Sequence, residues 1–367
     1  MKVLWICGLP EEVRSKFDLT DVPAHAMGWI MGHLPPPPDV ELHILCPVYG
    51  LKKNLRHSSS CTYKGAVWHP IRLRRFEPAF LRLRFAWSIR KLVRQINPDV
   101  IHGWGGELGP GLIATYLSKR AVVSIQGLLR MLNNSTRSIR SPRPIKKEFG
   151  PLKLFLEWLC YRRAGRLLCE SETAKRELLN LYGFEGEVVW HPLRPEFLNS
   201  RVEHKEHKEF KFLFVGQDVP RKGIGDARRA FSICSTRSPR LKLEIVTSGK
   251  SAAELVELMQ SADCLVMPSY GDTGPTVVKE AISQGLWPIV YSGSGAEELV
   301  RRYNFGTIVP CGDIPALAQA MHDFVQNSTS IIRNSKIRKF ENSIRSDLSP
   351  NAIWPQLLQI YSEVLHG

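Results

Sequence analysis

A chain of 367 residues is too long for one ordinary domain, and 43% apolar content is enough for two cores of roughly 150–200 residues each. Residues 1–200 hold 30 basic and 17 acidic side chains, a net of +13, while the remainder holds 20 and 18, a net of +2. A first half this basic points to an anionic partner: a phospholipid surface, a phosphorylated acceptor, an acidic glycan or nucleic acid. No apolar run approaches the ~18 residues of a membrane span, so any membrane contact is expected to be peripheral. Eight cysteines without C-x-x-C or metal-spaced His/Cys clusters predict a reduced, cytoplasmic protein with small buried thiols and no metal.

The chain opens on a short apolar run, Val3 to Cys7, which reads as a buried strand and not as a signal peptide. A turn at Gly8 follows, then a helix beginning at Ala24 to Ile30 that four prolines (35–38) end, and a second strand from Val40 to Cys46. Strand, Gly turn, helix and strand in this order predict an open α/β sheet with its ligand crevice at the strand C-termini. Residues 71–94 interleave Arg72, Arg74, Arg75, Arg82, Arg84, Arg90, Lys91 and Arg94 with aromatic and aliphatic residues. From Ala79 onward the spacing predicts an amphipathic helix with Phe85, Ile89, Leu92 and Val93 toward the core. Its basic face is either a solvated surface or a contact for a membrane or anionic acceptor, and no nucleic-acid module is legible.

Asn97 to His102 ends a helix and begins a strand, with His102 at the crevice lip and the Gly-rich Gly103-Trp104-Gly105-Gly106 after it. Trp104 either stacks on a sugar or caps that loop. Ala121 to Ile125 is a strand ending at Gln126-Gly127. Helices are expected over 151–164 and 173–181, and strands over 166–169 and 187–190. His191-Pro192-Leu193-Arg194-Pro195 then breaks all periodicity, and the interdomain linker is placed at about 192–209. The second half restarts in the same way, with a strand from Phe210 to Val215 running into Gly216, then Pro220-Arg221-Lys222-Gly223. Strands at 241–247, 263–267, 288–291 and 307–309 alternate with helices at 226–235, 252–260 and 314–327. The expected division is 1–195, 196–345 and a C-terminal segment, 346–367, whose amphipathic run from Trp354 to Leu365 crosses back onto the first half.

The richest stretch is Met267 to Gly285. A strand end is followed by a Gly/Pro loop and a helix that starts at Pro275 and stops at Gly285. The free N–H groups of Thr276 and Val277 would face an anion at the helix N-terminus. Asp272 and Glu280, separated by seven residues, flank that anion site. A phosphate cradle between two acids suits a ligand with both a diphosphate and diols, which describes a nucleotide-sugar.

Two α/β halves with this acid pair resemble the retaining glycosyltransferases of family 4, of GT-B architecture. The carrying residues are Val215-Gly216, Lys222-Gly223, Ala262-Asp263, Pro268-Ser269, Asp272, Glu280-Ala281 and Gly285, with Gly293 to Glu298 as the following Gly-rich loop. Pro98 to His102 and Val122 to Gly127 carry it in the first half. The resemblance implies two Rossmann-like domains facing across a cleft, with a C-terminal helix returning to the first. It implies that Glu280 binds the donor ribose, that Lys222 and Arg221 neutralise the diphosphate with the amides of Thr276 and Val277, and that Gly216, Gly274 and Gly8 line the donor site. Asp272 would lie against the transferred sugar, with His102 and Gln126 at the reacting centre. No cofactor is implied beyond the nucleotide-sugar co-substrate. No Asp-x-Asp pair occurs, in keeping with a metal-free reaction. The expected activity is transfer to a lipid-linked or surface-polysaccharide acceptor, in polysaccharide biosynthesis at the cytoplasmic membrane face.

Four positions depart from the family pattern. Asp272 stands where Glu is usual, Gln217 where Arg commonly helps bind the diphosphate, and Gln126 where many relatives have His; the segment from Ser248 to Gln260 is short. Gln126 cannot act as a general base. A nucleotide-sugar epimerase of the same architecture and a donor-binding protein without turnover are the alternatives.

Overall fold

The structure, a computed structural model, describes residues 1–17, 34–49, 60–73, 82–106, 109–135, 149–201, 209–236, 240–332 and 336–367. The first half runs β1 (Lys2–Ile6), α1 (Glu11–Lys16), β2 (Glu41–Tyr49), β3 (Cys61–Tyr63), β4 (Ala66–Leu73), α2 (Leu83–Ile96), β5 (Val100–Trp104) and α3 (Pro110–Leu117). It continues through β6 (Val122–Ile125), α4 (Leu129–Ser135), α5 (Pro151–Arg163), β7 (Arg166–Cys169), α6 (Glu172–Tyr182) and β8 (Glu187–Val188). A short helix, α7 (Pro195–Asn199), leads into β9 (Phe210–Val215), α8 (Ile224–Ser235), β10 (Leu241–Val246), α9 (Ala252–Gln260), β11 (Cys264–Met267) and α10 (Thr276–Ser283). Then come β12 (Trp287–Tyr291), α11 (Gly295–Tyr303), β13 (Thr307–Val309), α12 (Ile314–Ile332), α13 (Lys336–Asp347) and α14 (Pro350–His366).

These strands form two open sheets. The first has the order β3-β4-β2-β1-β5-β6-β7-β8 and is parallel except for β3, which pairs antiparallel with β4. The second has the order β10-β9-β11-β12-β13 and is parallel throughout. Helices cover both faces of such sheets, so the central strands read as unbroken apolar runs. Val3 to Ile6 of β1 and Cys264 to Met267 of β11 are all buried. In each sheet the strand order reverses at its first strand: β1 lies between β2 and β5, and β9 between β10 and β11. Those two reversals open a crevice beyond the strand ends, where Gly8 and Gly216 follow directly.

The C-terminal helix returns to the first sheet as expected, starting at Pro350 behind a Ser349 cap whose Oγ accepts from the Ala352 amide. Trp354 stacks on Trp5 with centroids 5.3 Å apart, and the Tyr361 hydroxyl accepts from Trp5 Nε1 at 3.0 Å. Several elements differ from expectation. Cys61–Tyr63 and Ala66–Leu73 form β3 and β4, two strands the sequence did not suggest, and Arg72 lies on β4. The helix expected at Ala24 to Ile30, and residues 74–81 with Arg74, Arg75 and Ala79, lie outside the described residues. Strand β5 runs on to Trp104, which corrects the expected position of His102: it is interior to the strand, not at a lip.

Candidate active site

The loop after β11 is held from below by an acid on α8. Asp226 is buried; its Oδ2 accepts from the Tyr270 hydroxyl at 2.5 Å and the Tyr291 hydroxyl at 2.9 Å, and its Oδ1 from Arg229 at 2.6 Å. The Tyr270 amide donates to Arg221 O at 2.9 Å, joining this loop to the 3-10 turn Pro220–Lys222. Gly223 allows the approach: its φ is 73°, and a Cβ there would come within 2.0 Å of Pro268 O. The turn therefore delivers Lys222 to the loop, where its ammonium pairs with the Asp272 carboxylate.

Helix α10 follows with Pro275 at its N-cap, so that it starts at Thr276, one residue later than the sequence suggested. Its first hydrogen bonds run from Val278 and Lys279 to Pro275 O, which leaves the half-buried Thr276 and Val277 at the open N-terminus. Glu280 is fully buried one turn on. Arg194 Nε donates to its Oε1 at 2.6 Å, whereas its Oε2 is buried with no hydrogen-bond partner. Burial pushes the Glu280 carboxyl above the usual carboxylate range, and Arg194 opposes that shift. Lys279 beside it is also fully buried, its Nζ without a hydrogen-bond acceptor. Burial lowers the affinity of that amine for its proton, against the pull of Glu170, Glu280 and Asp272.

The first half meets this loop through the end of β7. Ser171 Oγ donates to Thr273 O and Thr273 Oγ1 to Glu170 Oε1, each at 2.5 Å, while His191 Nδ1 lies 3.0 Å from Glu170 Oε2. Gly274 must lack a side chain, because a Cβ would come within 2.5 Å of the Glu170 carboxyl carbon. Glu298 of α11 accepts from the Glu172 and Thr173 amides at 3.1 and 2.9 Å, completing the first turn of α6 from the other domain. The interface thus gathers Asp272, Glu280 and Glu170 with Lys222, Lys279, Arg194 and His191. Of these, Glu170, Lys279, Arg194 and His191 escaped the sequence reading. Lys279 had a signal, a lone cation inside the apolar run Thr-Val-Val-Lys-Glu-Ala-Ile. Glu170 had none beyond its place after a strand.

The remaining candidates are dispersed. Gly8 and Gly216 are half-buried at the ends of their strands, as is Gln126 after β6. Arg221 is half-buried on its turn. His102 is fully buried and its ring is engaged on both sides, Nδ1 with the Tyr361 hydroxyl at 2.6 Å and Nε2 with Ser124 Oγ at 2.8 Å. Burial holds its pKa down at about 3, so the imidazole is neutral. Its ring stacks on Trp104, itself buried, at 4.5 Å. His102, expected at the reacting centre, is therefore packed inside the first domain together with Trp104. Among the basic residues, Arg72 and Arg84 are exposed, as are Arg90, Lys91 and Arg94. Arg82 is a correction: it is buried at the N-cap of α2 with φ 64°, and a Cβ on Gly109 would come within 2.8 Å of its Nε. On the outer face of α2, Trp87 is 71% exposed and Leu83 49%. Among the described residues no group of three or more His, Cys, Asp or Glu could hold a metal ion, and no helix is long and apolar enough to cross a membrane.

Comparison with known proteins matches residues 38–194 to Glycosyltransferase Family 4 and residues 245–340 to Glycosyl transferases group 1. Among solved structures, the sucrose-phosphate synthase of Thermosynechococcus elongatus is 14% identical, with a TM-score of 0.70 over 100% of this chain and 99% of that one. A trehalose-6-phosphate protein of E. coli bound with UDP-2-fluoro glucose is 12% identical, with a TM-score of 0.70 and the same coverage. The Anabaena protein HepE in complex with UDP and glucose is 15% identical, with a TM-score of 0.64 over 99% of both chains. No curated protein sequence matches the chain.

Proposed function

The chain belongs to the family 4 glycosyltransferases of GT-B architecture, and we propose that it moves a sugar from a nucleotide-diphosphate-sugar to a lipid-linked or surface-polysaccharide acceptor, with retention and without a metal ion. The carrying observation is Glu280, a buried carboxylate whose Oε2 lacks a hydrogen-bond donor and which lies one helical turn from the open N-terminus of α10. A ribose hydroxyl would supply the missing donor, and a diphosphate would meet the helix N-terminus and the Lys222 ammonium. Two of the similar structures are described with UDP or a UDP-sugar.

In this reading the bond between the anomeric carbon and the diphosphate oxygen breaks heterolytically. The electron pair leaves with the diphosphate, where Lys222, Arg221 and the amides of Thr276 and Val277 stabilise it. The oxocarbenium-like centre faces Asp272, and the acceptor hydroxyl bonds to it on the face the diphosphate leaves, giving up its proton to the departing oxygen. The chain's own cations do the work of a divalent ion.

The acceptor side is proposed to be an anionic membrane surface. Support comes from Trp87 and Leu83 standing exposed on α2 among Arg84, Arg90, Lys91 and Arg94. Such a protein would sit peripherally on the cytoplasmic face.

The donor experiment is a hydrolysis and transfer screen with UDP-, GDP- and ADP-sugars, with Glu280→Ala and Lys222→Ala alongside. Turnover lost in both variants and indifferent to a chelator is the expected result. Tight donor binding without turnover would instead leave a donor-binding protein, and a strict Mg²⁺ requirement would overturn the metal-free step. For the membrane, vesicles containing anionic lipid should retain the protein at low salt and release it at ~0.5 M, where screening is short-ranged. Retention unchanged in a variant with Trp87, Arg84, Arg90 and Lys91 replaced by Ser would refute this face as the contact.

A further inference from the structure

Thr273 and Gly274, which join Asp272 to the N-cap of α10, are held from the other domain. Thr273 is buried, and consecutive residues at the end of β7 take its two oxygens. Its Oγ1 donates to Glu170 Oε1 and its O accepts from Ser171 Oγ, each at 2.5 Å. Ser171 Oγ also accepts from the Ala174 amide at 2.9 Å as the N-cap of α6, so that helix sets its place. Glu170 is itself fixed: it is 3% exposed, and its Oε2 lies 3.0 Å from His191 Nδ1, in the stretch joining the two halves. From the second domain the Gly295 amide donates to Asp272 O at 2.8 Å, and a Cβ on Gly295 would come within 2.1 Å of Thr273 O. The reaction above gives Glu170 no task.

We propose that Glu170 is a positioning residue for sugar transfer: by accepting from Thr273 Oγ1 across the domain boundary, it sets the place of Asp272 opposite the reacting sugar. The inference rests on the donor reading above. Ser171 holds Thr273 at one point, the carbonyl oxygen; the bond from the side chain adds a second and fixes its orientation. A hydroxyl bonded to a carboxylate is stronger than a neutral pair, and breaking it between buried groups leaves an unsatisfied acceptor. Asp272 is the next residue in the chain, so it moves with Thr273, and a misplacement of about 1 Å at a reacting centre can cost about 10²-fold in rate. The nucleotide end of the donor is insulated from such a shift. Glu280 sits on α10, whose Val278, Ala281 and Ile282 are fully buried in the core. Loss of Glu170 therefore falls on the chemical step and not on donor binding.

Two measurements test this. The first needs no ligand: hydrogen exchange of the amides from Asp272 to Val278 in wild type, Glu170→Ala, Glu170→Gln and Thr273→Val. Exchange should quicken in Glu170→Ala and Thr273→Val, and stay near wild type in Glu170→Gln, which keeps an acceptor oxygen. Exchange unchanged in Glu170→Ala refutes the hold on the loop. The second is steady-state kinetics with whichever UDP-, GDP- or ADP-sugar the wild type turns over. Glu170→Ala should lower kcat by about 10²-fold with the donor KM little changed, and Thr273→Val should act in the same direction. The pair should be no slower than Glu170→Ala alone, because both remove one contact, and Glu170→Gln should keep most of the wild-type kcat. An unchanged kcat in folded Glu170→Ala would make the residue a structural tie only, and losses that add in the pair would place its effect outside Thr273. If Glu170→Ala does not fold, Thr273→Val decides, and a wild-type kcat there overturns the proposal. If exchange responds as expected but the wild type turns over no nucleotide-sugar, the donor reading fails and takes the positioning role with it. Turnover with unresponsive exchange sinks the positioning role alone.

Discussion

Arg194, inside the stretch that breaks periodicity between the two halves, donates Nε to Glu280 Oε1 at 2.6 Å, with the acid fully buried and the Arg side chain only 15% exposed. The linker thus reaches into the carboxylate proposed to hold the donor ribose. Removing one partner of a buried pair leaves an uncompensated charge, so Arg194→Ala should cost about 3 kcal/mol of stability. Adding Glu280→Gln should return most of that loss. Urea denaturation of the two variants measures both, and a loss that Glu280→Gln leaves untouched would place the effect of Arg194 in its packing over Phe197, 4.9 Å from the ring centroid.

Lys222 and Asp272 pair across the mouth of the same loop, each side chain about one-sixth exposed. In the proposed reaction Lys222 meets a charge that grows as the diphosphate leaves, so its loss should fall mainly on kcat. Lys222→Ala is expected to lower kcat by about 10²-fold or more, as removal of a preorganised donor does elsewhere. Steady-state kinetics with the preferred donor decide the point. A higher KM with kcat unchanged would make Lys222 a ground-state binding group.

Much of this arrangement was legible in the sequence, and the reasons lie in particular residues. The buried parallel strands announce themselves because β1, β9 and β11 must be apolar on both faces. The loop and helix from Met267 to Gly285 carry Gly, Pro and paired acids at the positions where a turn, a helix start and an anion site need them. The basic helix α2 was legible as a helix, but the exposure of Trp87 was not, since an aromatic residue beside Arg reads equally as core. Helix α3 escaped because Gly111 to Thr115 are all buried and no polar face marks its period. His102 misled for a topological reason: Tyr361 and Ser124, which take its two nitrogens, lie 259 and 22 residues away. Arg194 and Glu280 are 86 apart, and only the closing of the two halves brings them together.

Tyr361 holds the returning helix to the first sheet, accepting from Trp5 Nε1 and bonding His102 Nδ1 at 2.6 Å. Tyr361→Phe strips both buried partners at once and should cost about 2 kcal/mol. Acid should weaken the same junction. The unfolded chain binds a proton on His102 near its ordinary 6.5, whereas the folded chain refuses it until about 3. The contribution is therefore whole above pH 6.5 and drains as pH falls toward 3. Denaturation midpoints of wild type and His102→Gln between pH 7 and 5 check the sign: wild type should lose more than the variant.

Glu157 gives the opposite dependence. Buried on α5, it accepts from the Leu129 amide at 2.8 Å and the Tyr161 hydroxyl at 3.0 Å, and it pairs with the Tyr182 hydroxyl. It thereby fixes the start of α4, three residues beyond Gln126 at the cleft. Burial pushes its carboxyl up to about 7 despite those donors. The folded chain holds a proton that the unfolded chain releases near 4.5, so its contribution is whole below pH 4.5 and is lost as pH rises through about 7. The loss amounts to about 3 kcal/mol. Glu157→Gln keeps an acceptor for Leu129 and supplies a donor toward Tyr182 without an ionisable proton. Between pH 5 and 8 the variant should therefore gain stability relative to wild type by roughly that amount. His102 titrates in both proteins, so the difference isolates Glu157. Parallel curves would mean that Glu157 ionises in the fold as it does in the unfolded chain.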